Sequence, residues 1–326
     1  MQEDANVASS AVEFVTISDD DSGQRLDNYL FRHLKGVPKS RIYRALRHGE
    51  VRVNKKRVKQ DYRLQADDLL RIPPIRVEEK TPVFVADRLL AQLEQAILFE
   101  NDDLLVVNKP SGLAVHGGSG LQFGLIEALR QLRPNCKRLE LAHRLDRDTS
   151  GCTIVVKKAS VLRHIHQQLR EKTMEKTYLA LVRGRWPRRR TQVDAPLEKN
   201  IVQGGERMVR VVPEGKPSKT LFAVVATYPG ATLVKAQPVT GRTHQIRVHA
   251  QYAGFPLLGD EKYASRDDLT WGQELGLKRL FLHASEIRFT LPGEKKPMHI
   301  TAPLPQELQL VLAQLSARAE EVGPSC

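Results

Sequence analysis

Cysteine is scarce. Cys136, Cys152 and Cys326 are the three in 326 residues, too few and too scattered for a disulfide framework or a zinc site. Long apolar runs are also missing, and none approaches membrane-spanning length. The opening MQEDANVASSAVE carries neither the basic region nor the apolar stretch of a secretory leader. These absences predict a chain that works in a reducing cytoplasm, away from membranes. Acid is the third scarcity: 38 Asp and Glu stand against 51 Lys and Arg, for a net charge of +13. Apolar content is ordinary at 41%, so a globular fold with a large core and a small appended module is expected.

The positive charge is concentrated. Eleven Lys or Arg residues lie between Lys35 and Arg63 against only Glu50 and Asp61, so this stretch carries nine of the thirteen net charges. A solvated charged face is the ordinary reading of such a run. Here the charges interleave with a folding pattern and have almost no carboxylates to balance them, which is the footprint of a polyanion binder. Nucleic acid is favoured over acidic lipid, because no strongly apolar amphipathic face accompanies the charge.

Periodicity divides the chain. Residues 1–12 read as a disordered tail, and 13–73 as a small α+β domain. In it, Phe14–Ile17 forms a strand, and Leu26, Tyr29, Leu30 and Leu34 fall at helical spacing. A second helix, capped by Ser40 and ended by Gly49, buries Ile42, Tyr43 and Leu46. Strands over 51–54 and 68–72 follow, with a turn at Asn54-Lys55 and a stop at Pro73-Pro74. Residues 74–95 read as a linker with a partly helical end. The rest, 96–326, is strand-rich with irregular crossovers and helices near 123–132, 160–172, 241–254 and from about Gln306. That pattern predicts a largely antiparallel mixed-sheet α+β domain rather than a doubly wound one.

Two features invite chemistry and do not sustain it. Gly117-Gly118-Ser119-Gly120 has the wrong spacing for a dinucleotide fingerprint and lacks a surrounding βαβ unit. His164 and His166 lie two apart on a helix, facing different ways, so they cannot hold one ion well. No metal site is expected. The run HRLDRDTSG, residues 143–151, is different. Asp148, just before Thr149-Ser150-Gly151, reads as a turn cap paired with arginine. Asp146 lies between Arg144 and Arg147, which can keep a carboxylate ionised. A lone ionised carboxylate suits nucleophilic attack on an electrophilic carbon.

HRLDRDTSG resembles the active-site signature of the RluA family of pseudouridine synthases. NKPSG with VHGG, KTYLALVRG, GRTHQIRVH, PLLGDEKY and RLFLHA match further family motifs in order, from about Ile97 to Pro303. RLDNYL and VRVNKKRV, within residues 23–73, resemble the ribosomal S-four-type RNA-binding domain. The resemblance implies an isomerase that turns uridine into pseudouridine in structured RNA. The base is flipped out, the glycosidic bond breaks, and carbon five of uracil joins the sugar. Asp146 would be the nucleophile, with attack on the ribose anomeric carbon or on the uracil ring both open. Tyr178 would pack on the base and help remove the carbon-five proton, and Arg247 would pair with Asp146. His143, Arg144, Leu145, Lys109, His244 and Gln245 would support the site. Lys39, Arg41, Arg44, Arg47, Arg52, Lys55, Lys56 and Arg57 would bind RNA. The resemblance implies no nucleotide or other cofactor, a monomer, and large-subunit ribosomal RNA as substrate. Transfer RNA as substrate, or a catalytically silent ribosome-assembly factor, are the competing readings.

Overall fold

The computed structural model describes residues 11–34, 36–75, 85–117, 122–136, 138–201 and 207–321, and the chain divides into two units, Met1–Phe84 and Val85–Cys326. The tail to Ser10, residues 76–84 of the expected linker and the glycine stretch Gly118–Gly120 lie outside the described residues.

In the first unit, strand β1 (Glu13–Thr16) is followed by helices α1 (Leu26–His33) and α2 (Lys39–His48) and strands β2 (Arg52–Val53) and β3 (Leu69–Ile72). The sheet runs β1-β3-β2, antiparallel throughout. Helical spacing puts Leu26 and Leu30 of α1 against Ile42 and Leu46 of α2, over Val53, Leu70 and Ile72 of the sheet. Ser40 does not cap α2. The extended backbone of Pro38 starts the helix one residue before it, as suits a residue whose φ is fixed. Gly49, at φ +69°, ends it in the left-handed conformation. Asn54 and Lys55 are both left-handed, which makes a tight hairpin turn. Asp68 fixes that turn, accepting from Asn54 Nδ2 at 2.7 Å and Tyr62 Oη at 3.1 Å. Seven of the eight expected RNA-binding residues are exposed, while Arg41 is half-buried and bonds Glu50 at 2.9 Å.

The second unit opens with α3 (Asp87–Gln95), β4 (Ile97–Glu100), β5 (Leu104–Lys109), α4 (Leu125–Leu132), β6 (Glu140–Leu141), β7 (Ser150–Val156) and α5 (Ala159–Glu171). Then come β8 (Glu175–Arg183), β9 (Gln192–Asp194), the hairpin β10 (Leu197–Ile201) and β11 (Arg207–Val211), β12 (Lys219–Tyr228) and β13 (Ala231–Pro238). Helices α6 (Gln245–Tyr252) and α7 (Arg266–Glu274), strands β14 (Leu282–Phe289) and β15 (Met298–Thr301), and helix α8 (Gln306–Glu321) complete it. Ten strands form one sheet along β4-β5-β7-β14-β8-β13-β12-β9, with β6 on β7 and β15 on β14. Of its described pairings, β7–β14 alone is parallel, so the expected antiparallel-dominated α+β class holds.

Strand alternation decides which face each residue serves. On β5, Leu104 and Val106 pack with Val161 and Ile165 of α5, while Leu105 and Val107 pack with α3 and α4. On β8, Tyr178, Ala180 and Val182 share a core with Ile246 of α6, whereas Leu181 packs with α8. Tyr178 is therefore on the α6 side of the sheet. Helix α3 lies within the span expected as linker, yet buries Leu93 beside Val85 and Leu105.

Candidate active site

The loop before β7 holds Asp146 from below. Leu145 is buried in the core that contains Tyr178 and Ala180, so its neighbour Asp146 turns the other way. The backbone then closes, with Thr149 N–H donating to the Asp146 carbonyl at 3.2 Å. The NKPSG turn grips the next residues: Gly112 N–H donates to the Arg147 carbonyl at 2.9 Å and Ser111 Oγ to that of Asp148 at 2.7 Å. Lys109 Nζ, wholly buried, donates to the carbonyls of Pro110, Leu113 and Arg147 at 2.8, 2.8 and 3.0 Å. Burial pushes its pKa down to about 7, but three acceptors match the three donors of an ammonium, where a neutral amine has two. Gly151 closes the motif at φ +112°. A Cβ there would lie 2.3 Å from the Ala284 carbonyl oxygen on β14, so glycine allows the parallel strands to meet.

Asp146 opens into a cavity of about 870 Å³ lined by His143, Arg144, Leu145, Tyr178, His244, Gln245 and Arg247, with Lys176, Arg170 and Arg242 among the other lining residues. The carboxylate is 21% exposed, and its Oδ2 lies 3.9 Å from both Arg247 Nη1 and His244 Nε2. Burial raises its pKa above the ordinary value, against the pull of Arg247, Arg144 and Lys109. The basic neighbours expected to keep it ionised therefore offset desolvation only in part.

Arg247 has a closer partner than Asp146. Its Nε and Nη2 fork onto Asp260 at 2.8 and 2.6 Å, with both side chains buried, leaving Nη1 to face Asp146. Asp260 also accepts from the backbone N–H groups of Lys262 and Tyr263. The expected Arg247–Asp146 pair is thus a longer contact braced by a second carboxylate. Asp260 and Tyr263 escaped the sequence reading, although both lie in the PLLGDEKY motif. Nothing in that motif alone separates a buried acid from a turn acid.

The remaining groups divide by function. Gln245 accepts from Thr240 Oγ1 and Arg242 N–H and donates to the Lys219 carbonyl and Thr220 Oγ1. All its capacity goes into holding the turn 240–244. His143 Nε2 accepts from Ile154 N–H at 3.1 Å, and burial drops its pKa to about 3, so it is neutral. Burial and Asp146 push the Tyr178 hydroxyl upward, so the phenol stays protonated near neutral pH. Lys176 shares the Tyr178 face of β8 and is also shifted down by burial. Asp148 bonds Arg147 at 3.0 Å, the paired turn expected for it. His164 and His166 bond Thr290 Oγ1 and the Ala142 carbonyl, away from the cavity lining.

The sequence pattern of the RNA pseudouridylate synthase family matches residues 103–252, and that of the S4 domain matches residues 24–70. Over 316 residues, 96% of this chain and 97% of the relative, the sequence is 57% identical to the ribosomal large subunit pseudouridine synthase C of Pasteurella multocida (strain Pm70). The synthase of the same name from Escherichia coli (strain K12) is also 57% identical, over 94% of this chain and 97% of its own length. Among solved structures, Human RNA Pseudouridylate Synthase Domain Containing 4 is similar with a TM-score of 0.57 and 26% identity, over 71% of this chain and 96% of that one.

Proposed function

This chain belongs to the RNA pseudouridylate synthase family, and from that premise we propose that it converts specific uridines of large-subunit ribosomal RNA to pseudouridine with Asp146 as nucleophile. One observation carries the reading: the Asp146 carboxylate, faced by Arg247 and His244, opens into a cavity that Tyr178 also lines. The full-length likeness to relatives named for the large ribosomal subunit supports the substrate. It also supports a cytoplasmic site of action.

The reaction follows from the groups present. The flipped nucleotide enters the cavity, and ionised Asp146 attacks it while the glycosidic bond to N1 breaks. The base turns, carbon five bonds the anomeric carbon, the bond to Asp146 breaks and returns its carboxylate, and the carbon-five hydrogen leaves as a proton while N1 gains one. Atoms and electrons balance within the nucleotide. Protonated Tyr178 suits packing on the base better than removing that proton as a phenolate. The cations Arg144, Arg170 and Arg242 at the cavity suit the flanking phosphates. The test is to map pseudouridine in ribosomal and transfer RNA from cells lacking the gene. Large-subunit sites that vanish, and return with the unaltered gene but not with Asp146→Asn, are the expected result. Loss confined to transfer RNA would overturn the substrate.

A further inference from the structure

A hydrogen-bonded chain ends on His244, which faces Asp146. Val209 N–H, on β11, donates to Tyr263 Oη at 3.1 Å, and that hydroxyl lies 2.7 Å from His244 Nδ1. Tyr263 is 5% exposed, and Val209 N–H and His244 Nδ1 both lie within bonding distance of its hydroxyl. With one lone pair engaged by Val209, the hydroxyl can give its proton to Nδ1, which would leave the ring's own hydrogen on Nε2. Nε2 faces Asp146 Oδ2 at 3.9 Å, the same oxygen that Arg247 Nη1 faces at 3.9 Å. His244 occupies the left-handed region at φ +53°, and strain of this kind gathers at functional sites.

We propose that His244 is a positioning residue: fixed by Val209 and Tyr263 as the tautomer protonated on Nε2, it joins Arg247 on Oδ2 of Asp146 and leaves Oδ1 to attack. This deepens the isomerase reading and rests on it. Contacts of this length shorten when substrate fills a site. The ring stays neutral, since burial, Arg247 and Lys262 take its pKa down to about 4 against Asp260. It therefore supplies a directed donor without adding a charge that would compete with Arg247.

The amide variants separate the two ring nitrogens. His244→Gln places an amide N–H near the Nε2 position. His244→Asn places one near Nδ1 and fits the left-handed backbone, yet cannot reach Asp146. Turnover is read as tritium released from carbon five of uridine in a large-subunit ribosomal RNA transcript. His244→Asn is expected to lower kcat about fifty-fold or more with KM within about threefold, while His244→Gln loses about fivefold or less. Tyr263→Phe should cost about tenfold with His244 present and under about twofold beside His244→Gln, which has no tautomer to fix. Equal Tyr263→Phe losses in both backgrounds, or His244→Asn outperforming His244→Gln, would overturn the inference alone. No tritium release by the unaltered chain would overturn the isomerase reading and the inference with it.

Discussion

The carboxylate proposed as nucleophile must be ionised to react, yet it lies where burial resists ionisation. The Asp146 pKa is raised chiefly by burial. Activity should accordingly fall with decreasing pH through a midpoint above the ordinary aspartate value, read from kcat/KM against pH. The linkage sign follows. A group whose folded pKa is raised lends stability that is present below its unfolded pKa and lost as pH rises through the folded one. At neutral pH ionised Asp146 therefore opposes folding. Asp146→Asn should abolish turnover to below about one percent, keep RNA affinity within about threefold because a carboxylate adds little to phosphate binding, and melt at an equal or higher temperature. A lower Tm with retained turnover would remove Asp146 from its role. Arg247 should behave oppositely. Arg247→Met strands Asp260 as well as Asp146, and an uncompensated buried carboxylate costs about 3–5 kcal/mol. Both Tm and kcat should drop, and Arg247→Lys should restore them only in part, since a point charge cannot replace the fork.

Elements turn these residues into a site through a few backbone clamps, and Lys109 is the most exposed to test. From the end of β5 it bonds the carbonyls of Pro110 and Leu113 in the turn that follows it and that of Arg147 in the loop before β7. Lys109→Met leaves those acceptors in a buried place, each at about 1–3 kcal/mol where nothing replaces the donor. A lower Tm and a lower kcat are expected together, and an unchanged kcat in the folded variant would mean the loop holds itself. Such clamps mark where the sequence stops being legible. Periodicity exposed α5 and α8, since their apolar faces repeat on each turn, and the HRLDRDTSG run exposed Asp146. Ser40 misled as a cap because Pro38 already supplied the extended residue. Helix α7 was missed although Ser265 and Asp268 form a reciprocal capping box, a signal four residues long without an apolar run behind it. Asp260 and Tyr263 were unreadable for a deeper reason. Their meaning lies in contacts with Arg247, His244 and Val209, which only the fold brings within reach.

At the scale of the whole molecule, the concentrated positive charge and the proposed catalytic residues lie in different units. The stretch with nine of the thirteen net charges lies in the first unit, where seven of the eight expected RNA-binding residues are exposed. Asp146, Tyr178, His244 and Arg247 all lie in the second. That second unit has its own cores around Tyr178, Ile154, Leu125 and Phe281, so a chain beginning near Thr81 should fold. It should bind RNA more weakly and with less dependence on salt, because each lost phosphate contact removes its share of counterion release. If about four or five contacts go, the slope of log affinity against log salt should fall by roughly 3 to 4.5. Turnover at saturating RNA should survive in part, since the cavity is intact, while choice among uridines should loosen as the basic unit no longer sets register. Affinity measured at several salt concentrations on one RNA fragment, for the full and shortened chains, decides it. An unchanged slope would mean that Lys55, Lys56 and their neighbours meet no phosphate. The charge concentrated between Lys35 and Arg63 would then have some purpose other than holding RNA.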